Sequence, residues 1–293
     1  MSVFHGVGAA MITPFDSDGV NFDAFGSMIE YLIDGKIDSL IVCGTTGEPA
    51  TMTADERRAA IAFAVEKSAG RVPVIAGCGC NSTAETVANA RAAQSLGADA
   101  LLVVTPYYNK CTQNGLVAHY TAVAEAVDIP VIVYNVPSRT GVNLLPSTML
   151  RLSEVKNIVG IKEASGNIEQ LQELVRITRG KTDVYLGEDF LTYLGMTLGS
   201  KGVISVAANV APLLMREITE NAENGNYVAA RKAQLKALPL IRALFSEVNP
   251  IPVKKAMNFL GFDAGVPRLP LTEMEEAHAA ALYGEMQALG LVK

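Results

Sequence analysis

The sequence predicts an α/β fold, a (β/α)8 TIM barrel carrying a C-terminal helical appendage, and three observations carry that prediction. Short β-branched runs alternate with stretches of helical period, the alternation repeats at roughly 25 to 35 residues, and eight strand segments precede residue 207. Strands separated by a helix pair in parallel, because antiparallel neighbours close with short turns. Eight such units suit a closed barrel of about 250 residues. An open doubly wound sheet shows the same alternation, so closure is an expectation for the structure to decide.

In order, the strand segments are Gly8 to Thr13, Ser39 to Cys43, Val74 to Gly77, Ala100 to Thr105, Val131 to Asn135, Val159 to Lys162, Val184 to Gly187 and Gly202 to Val206. Helical patterns lie between them: Phe22, Phe25, Ile29 and Leu32 follow one another at spacings of three and four. Two helix starts are marked by capping-box signatures, Thr53 with Glu56 and Ser82 with Glu85. After residue 207 the strands stop, and helical patterns run over Ala211 to Asn224, Tyr227 to Glu247, Pro252 to Leu260 and Thr272 to Leu289. Residues 1–207 therefore supply the barrel strands and most barrel helices. Residues 208–293 supply the last barrel helix and an extension packed on it, with no Ser- or Gly-rich linker between them.

Composition narrows the function. With 293 residues, 49% of them hydrophobic, the chain can bury one large core. Its net charge of −6, and basic runs no longer than two residues, speak against nucleic acid or an anionic membrane surface as partner. The stretch from Met1 to Phe15 lacks a basic segment and is broken by Gly6, Gly8 and Pro14, so it reads as a first strand and not as a signal peptide. No apolar stretch approaches the roughly 20 residues of a membrane span. A cytoplasmic protein is expected. Four cysteines (Cys43, Cys78, Cys80, Cys111) and three scattered histidines form neither a disulfide framework nor a metal site, and no metal is expected.

In a barrel of this kind the chemistry sits where the strands end, so the residues that follow each apolar run are the informative ones. Lys162 closes the run Ile158-Val159-Gly160-Ile161, where an aliphatic residue would suit the core better. Withdrawal from water favours the free amine over the ammonium, and the free amine is what attacks a carbonyl to form a Schiff base. A lysine that snorkels to the rim, or that pairs with Glu163 or Glu188, is the plainer alternative. Tyr134 ends the preceding strand, about 5 Å away across the sheet, and its phenol could pass protons there; a rim filler is its alternative. Arg139, held between Pro137 and Gly141, has the planar fork that grips a carboxylate. The run Gly44-Thr45-Thr46-Gly47-Glu48 offers two hydroxyls and flexible N–H groups as a second carboxylate cradle. Gly77, Gly79 and Ser82 only superficially match a dinucleotide-binding turn, lacking the third glycine and a correctly placed acid, and no nicotinamide cofactor is expected.

Taken together, Gly44 to Glu48, Tyr134 to Gly141 and Gly160 to Ala164 resemble the dihydrodipicolinate synthase family of pyruvate-dependent class I aldolases. The resemblance runs over essentially the whole chain, including Thr105-Pro106-Tyr107-Tyr108-Asn109, Gly202 to Ser205, and Asn249 to Val253 in the tail. The first motif marks only the wider superfamily, which includes N-acetylneuraminate lyase; Arg139 is the sharper marker for the synthases.

What the resemblance implies is a Schiff base between Lys162 and pyruvate, with Thr45, Tyr134 and Tyr108 as a hydroxyl relay. The tyrosine matching Tyr108 reaches into a neighbouring subunit's site in that family, so a homotetramer is implied. Thr46 would hold the pyruvate carboxylate, Arg139 the carboxylate of the second substrate, L-aspartate 4-semialdehyde, and Gly187 and Ile204 would line the pocket floor. The activity implied is that of a lyase in diaminopimelate and lysine biosynthesis, with no cofactor. Asn81, Glu85 and Tyr107 fall where many members bind lysine as an inhibitor. Here, however, Pro49 and Arg57 replace the serine and histidine of the lysine-sensitive bacterial pattern, and Arg57 would set positive charge beside a cationic ligand. Weak or absent inhibition by lysine is expected. A sister aldolase acting on N-acetylneuraminate or a 2-keto-3-deoxy sugar acid, and a non-catalytic barrel that only binds, stay open as alternatives.

Overall fold

The computed structural model describes residues 2–293, so Met1 lies outside it. Eight strands close into one parallel barrel: β1 Gly6–Ala10, β2 Ser39–Val42, β3 Val74–Gly77, β4 Ala100–Val104, β5 Val131–Asn135, β6 Ile158–Glu163, β7 Asp183–Leu186 and β8 Gly202–Ser205. Each pairs with the next, and β8 returns to β1 through Gly6↔Gly202 and Gly8↔Ile204. Closure excludes the open sheet. The first strand begins and ends earlier than the sequence predicts. The Met11 N–H still bonds the Ile41 carbonyl (3.0 Å), and the next N–H, of Ile12, turns to the Asn209 side chain (3.3 Å) beyond the last strand. A small antiparallel hairpin of Phe15–Asp16 and Gly19–Val20, too short to be visible as a pattern, follows.

Side chains alternate across each strand, and the alternation sorts the core into two layers. Leu40 and Val42, Leu101 and Val103, and Val131 and Val133 face outward under the helices, whereas Ile41, Leu102, Ile132, Tyr134 and Ile204 fill the bore. On β6, Ile161 faces outward, so Lys162 faces in and Glu163 faces out. Phe4 and Tyr185 stack at the N-terminal end of the bore, ring centroids 4.4 Å apart, and the Tyr185 hydroxyl donates to the Phe4 carbonyl (2.9 Å). That pair closes the barrel floor.

The predicted helix starts differ in one respect. Thr53 and Glu56 form a reciprocal capping box ahead of the helix Ala54–Ser68, at 2.8 and 3.1 Å. At the helix Thr83–Ser95 only half of the box exists: Ser82 accepts from the Glu85 N–H (3.3 Å), and no return bond from the Glu85 carboxylate is present among the described residues. Glu85 is therefore not held by the cap as the sequence implies.

The tail helices Pro212–Glu223, Tyr227–Leu244, Ile251–Phe259 and Glu276–Ala288 share one apolar core with the barrel, in which Leu240, Ile241, Met257 and Leu282 join Val7 and Leu40. A buried ion pair also links them to the barrel. Lys254 Nζ lies 2.7 Å from Glu48 Oε1, and both side chains are almost wholly buried. The second Glu48 oxygen accepts from the Arg268 N–H (2.9 Å), and the Arg268 guanidinium grips Glu56. Lys254 and Arg268 also sit over the Phe15 ring, 4.1 and 3.9 Å from its centroid. The hydrogen bond from Arg268 holds the Glu56 carboxyl down at about 2.

Replacing Lys254 with Ala should lower stability by about 3–5 kcal/mol, because the Glu48 carboxylate is left buried without its cation. The shift of the urea midpoint measures this, and a Glu48→Gln, Lys254→Met pair should recover most of the loss. A Lys254→Ala cost below about 1 kcal/mol would mean that the pair is effectively solvated.

Candidate active site

A cavity of about 610 Å³ opens at the C-terminal mouth of the barrel. Its walls bring together the loops after β2, β3, β4 and β5 with the segment Val248–Pro250 of the tail, and Thr45, Tyr134 and Arg139 all line it.

Lys162 and Tyr134 are register partners on β6 and β5, each 6% exposed, and the ammonium lies 4.4 Å from the Tyr134 ring centroid. Neither carboxylate that could have neutralised Lys162 does so, for no ion pair among the described residues involves it. Glu163 faces out of the bore and is occupied by the Ser165 N–H (2.9 Å) and by the amides of Asn135 (3.0 Å) and Gln170 (3.3 Å). Burial pushes the Glu188 carboxyl up, and the charges of Asp189 and Glu163 add to that rise against the opposing pull of Lys162.

Gly187 follows β7 beside this lysine. A Cβ there would stand 2.5 Å from Ala164 Cβ and 3.1 Å from Lys162 Cε, so only glycine leaves the lysine stem its path. Ile204 is fully buried in the bore with Tyr134.

The Gly44 to Glu48 loop is a single 3-10 turn, Thr45–Gly47, ended by Glu48 in the left-handed region (φ 56°). The Glu48 carboxylate in the ion pair described above holds that strained backbone. Thr46 is 3% exposed, and its oxygen accepts from Asn249 Nδ2 at 3.0 Å. Arg139 sits on the short helix Pro137–Thr140, which ends at Gly141 with φ 70°, and its Nη2 donates to the Asn249 carbonyl at 3.3 Å. Thr105, the residue after β4, fixes this loop by donating to Thr140 (3.1 Å).

Tyr108 stands apart. It is 90% exposed, with φ 71°, and does not line the cavity of its own chain. Tyr107 and Glu85 line the outer wall, whereas Asn81 is exposed and does not. Burial raises the Tyr107 phenol, reinforced by Cys80 and Glu85 and opposed by Arg57. Arg57 also lines this wall, tied to the Pro49 and Met52 carbonyls at 3.2 and 3.0 Å. The glycines that imitate a nucleotide turn have a packing role: a Cβ on Gly77 would meet the Cys43 carbonyl at 2.1 Å, and one on Gly79 the Val104 nitrogen at 2.5 Å. Burial pushes the flanking Cys43 and Cys78 thiols up to about 12.

In the sequence Asn249 stands only as the start of a tail motif, with no place in the site. The signal was present in Asn249-Pro250-Ile251-Pro252, an unusual break between two helices, but nothing local says that it reaches the barrel mouth.

Comparison with known proteins places the chain in a family. The model of the Dihydrodipicolinate synthetase family matches residues 3–289. The 4-hydroxy-tetrahydrodipicolinate synthase of Thermoanaerobacter sp. (strain X514) is 53% identical over 294 residues, covering 100% of this chain and 99% of that protein. The crystal structure of dihydrodipicolinate synthase from Thermotoga maritima is similar with a TM-score of 0.98 at 42% identity, over 99% of this chain and 100% of that one. The Acinetobacter baumannii synthase, solved in complex with pyruvate, has a TM-score of 0.97 at 41% identity, over 99% of this chain and 100% of that one. With a family match over nearly all of its length and relatives of this identity end to end, the chain belongs to the dihydrodipicolinate synthetase family.

Proposed function

We propose that the chain condenses pyruvate with L-aspartate 4-semialdehyde, as a 4-hydroxy-tetrahydrodipicolinate synthase. The observation that carries this reading is Lys162: buried, without a carboxylate partner, beneath Tyr134, with its stem passing Gly187. Its relatives' names and the pyruvate complex of the Acinetobacter baumannii enzyme point to the same chemistry.

The Lys162 amine adds to C2 of pyruvate, and the carbinolamine loses water to give an iminium. Tyr134 moves protons in these steps, with Thr45 on the same cavity wall completing the path outward. The iminium withdraws electrons from the methyl group, a proton leaves, and the enamine carbon attacks the aldehyde of the second substrate. The amine of the adduct then closes the ring on C2 and expels Lys162. Thr46 holds the pyruvate carboxylate and Arg139 that of the semialdehyde, for which a guanidinium provides two parallel donors.

Tyr108 supplies the relay's third hydroxyl to a neighbouring copy. A large aromatic residue, exposed and at positive φ, has no role in its own chain that would justify the strain. The working unit is then an oligomer, a homotetramer by family resemblance, acting in the cytoplasm. At the outer wall, Arg57 beside Tyr107 and Glu85 disfavours a cationic ligand.

Incubation with pyruvate and borohydride should modify Lys162 alone, located by peptide mapping, with Lys162→Ala unlabelled. Labelling elsewhere, or none, would sink the mechanism. Gly187→Ala is expected to cut that labelling by about tenfold or more, since the added methyl must displace Ala164 or the lysine stem; wild-type labelling of this variant would show that the stem takes another path. In a coupled condensation assay, lysine should inhibit weakly or not at all. Half-inhibition at submillimolar lysine would contradict the reading of Arg57.

A further inference from the structure

Asn249 is 7% exposed and lies between the two groups assigned to carboxylates. Its side-chain Nδ2 donates to Thr46 Oγ1 (3.0 Å), and its main-chain oxygen accepts from Arg139 Nη2 (3.3 Å). Its own Oδ1 is buried and has no hydrogen-bond partner among the described residues. A buried acceptor without a donor is costly, so this orientation of the amide needs a reason.

The chemistry of the threonine hydroxyl supplies one. A hydroxyl has one hydrogen and two lone pairs. Because Thr46 Oγ1 accepts from Asn249, its single hydrogen remains free, and no acceptor for it is present among the described residues. The opposite amide setting would make Oδ1 accept that hydrogen, leaving nothing to donate to a ligand. It would also place the NH2 group where Oδ1 now finds no partner. With the amide set this way, Thr46 keeps a hydrogen to donate to a carboxylate.

We infer that Asn249 is a positioning residue for pyruvate: it directs the Thr46 hydroxyl toward the pyruvate carboxylate, while its main-chain oxygen holds Arg139 on the same wall. One residue of the C-terminal segment thereby sets both carboxylate-binding groups. This rests on the pyruvate reading of Lys162.

The test uses the full-length protein and the pyruvate concentration that half-saturates borohydride trapping of Lys162, alongside the KM for the semialdehyde. Asn249→Ala should raise the half-saturating pyruvate by about tenfold, the size of one weakened hydrogen bond to a charged group. Asn249→Asp, nearly the same shape, should raise it further, because a carboxylate takes the Thr46 proton and repels the pyruvate anion. Neither should change the semialdehyde KM by more than about twofold, since the carbonyl that holds Arg139 remains. In a Thr46→Val background the Asn249→Ala effect should disappear, because the hydroxyl it directs is gone. A wild-type response to pyruvate in Asn249→Asp, or equal rises for both substrates that persist with Thr46→Val, would overturn the inference while leaving Lys162 as the anchor. Failure of wild-type trapping would sink both readings.

Discussion

A lysine and a glutamate withdrawn from water hold this site together. Lys254 belongs to the tail and Glu48 to the loop after β2, 206 residues apart in the chain. Their contact fixes a loop whose backbone is strained at Glu48 and docks the segment that carries Asn249. Desolvation lowers the Lys254 ammonium while the Glu48 charge opposes that drop, so the pair is stable only as a pair. Thr45 and Thr46 inherit their positions from it. The helical extension is thus part of the active-site wall, although it contributes no strand.

The same economy of charge governs the bore. On the proposed reading the buried Lys162 amine is a nucleophile, and it can be one only if no carboxylate claims it. Strand parity does most of this work: Glu163, adjacent to Lys162 in sequence, is turned to the opposite face and saturated there by Ser165, Asn135 and Gln170. Gly187 clears the space beside the lysine stem, and Tyr134 offers a ring face and no competing anion.

Much of this was legible in the sequence because it is local. The eight strands could be read from β-branched runs bounded by turns, and seven of them fall within about two residues of their expected ends. The strand-end rule then picked out Lys162, Tyr134, Arg139 and the Thr45–Thr46 pair, since position along a strand fixes which end of the barrel a residue occupies. What was not legible depends on distant contacts. In the sequence Asn249 is one residue of a tail motif, Glu48 part of a glycine-rich run, and Glu85 a capping residue, whereas in the structure the Glu85 carboxylate makes no bond to the cap. Tyr108 gives no local sign of its exposure; a residue at positive φ can be inferred from sequence only when it is glycine or asparagine.

The stacked Phe4 and Tyr185 carry a kinetic meaning. With that floor closed by stacked rings, the mouth is the open end of the barrel, and on the proposed reading both substrates reach Lys162 from there. On that reading the keto acid enters before the aldehyde, because the imine must exist before it can attack, and the water shed in imine formation leaves by the same mouth. The next turnover cannot begin until the joined product has gone. A barrel open at one end makes substrates, water and product share a single door.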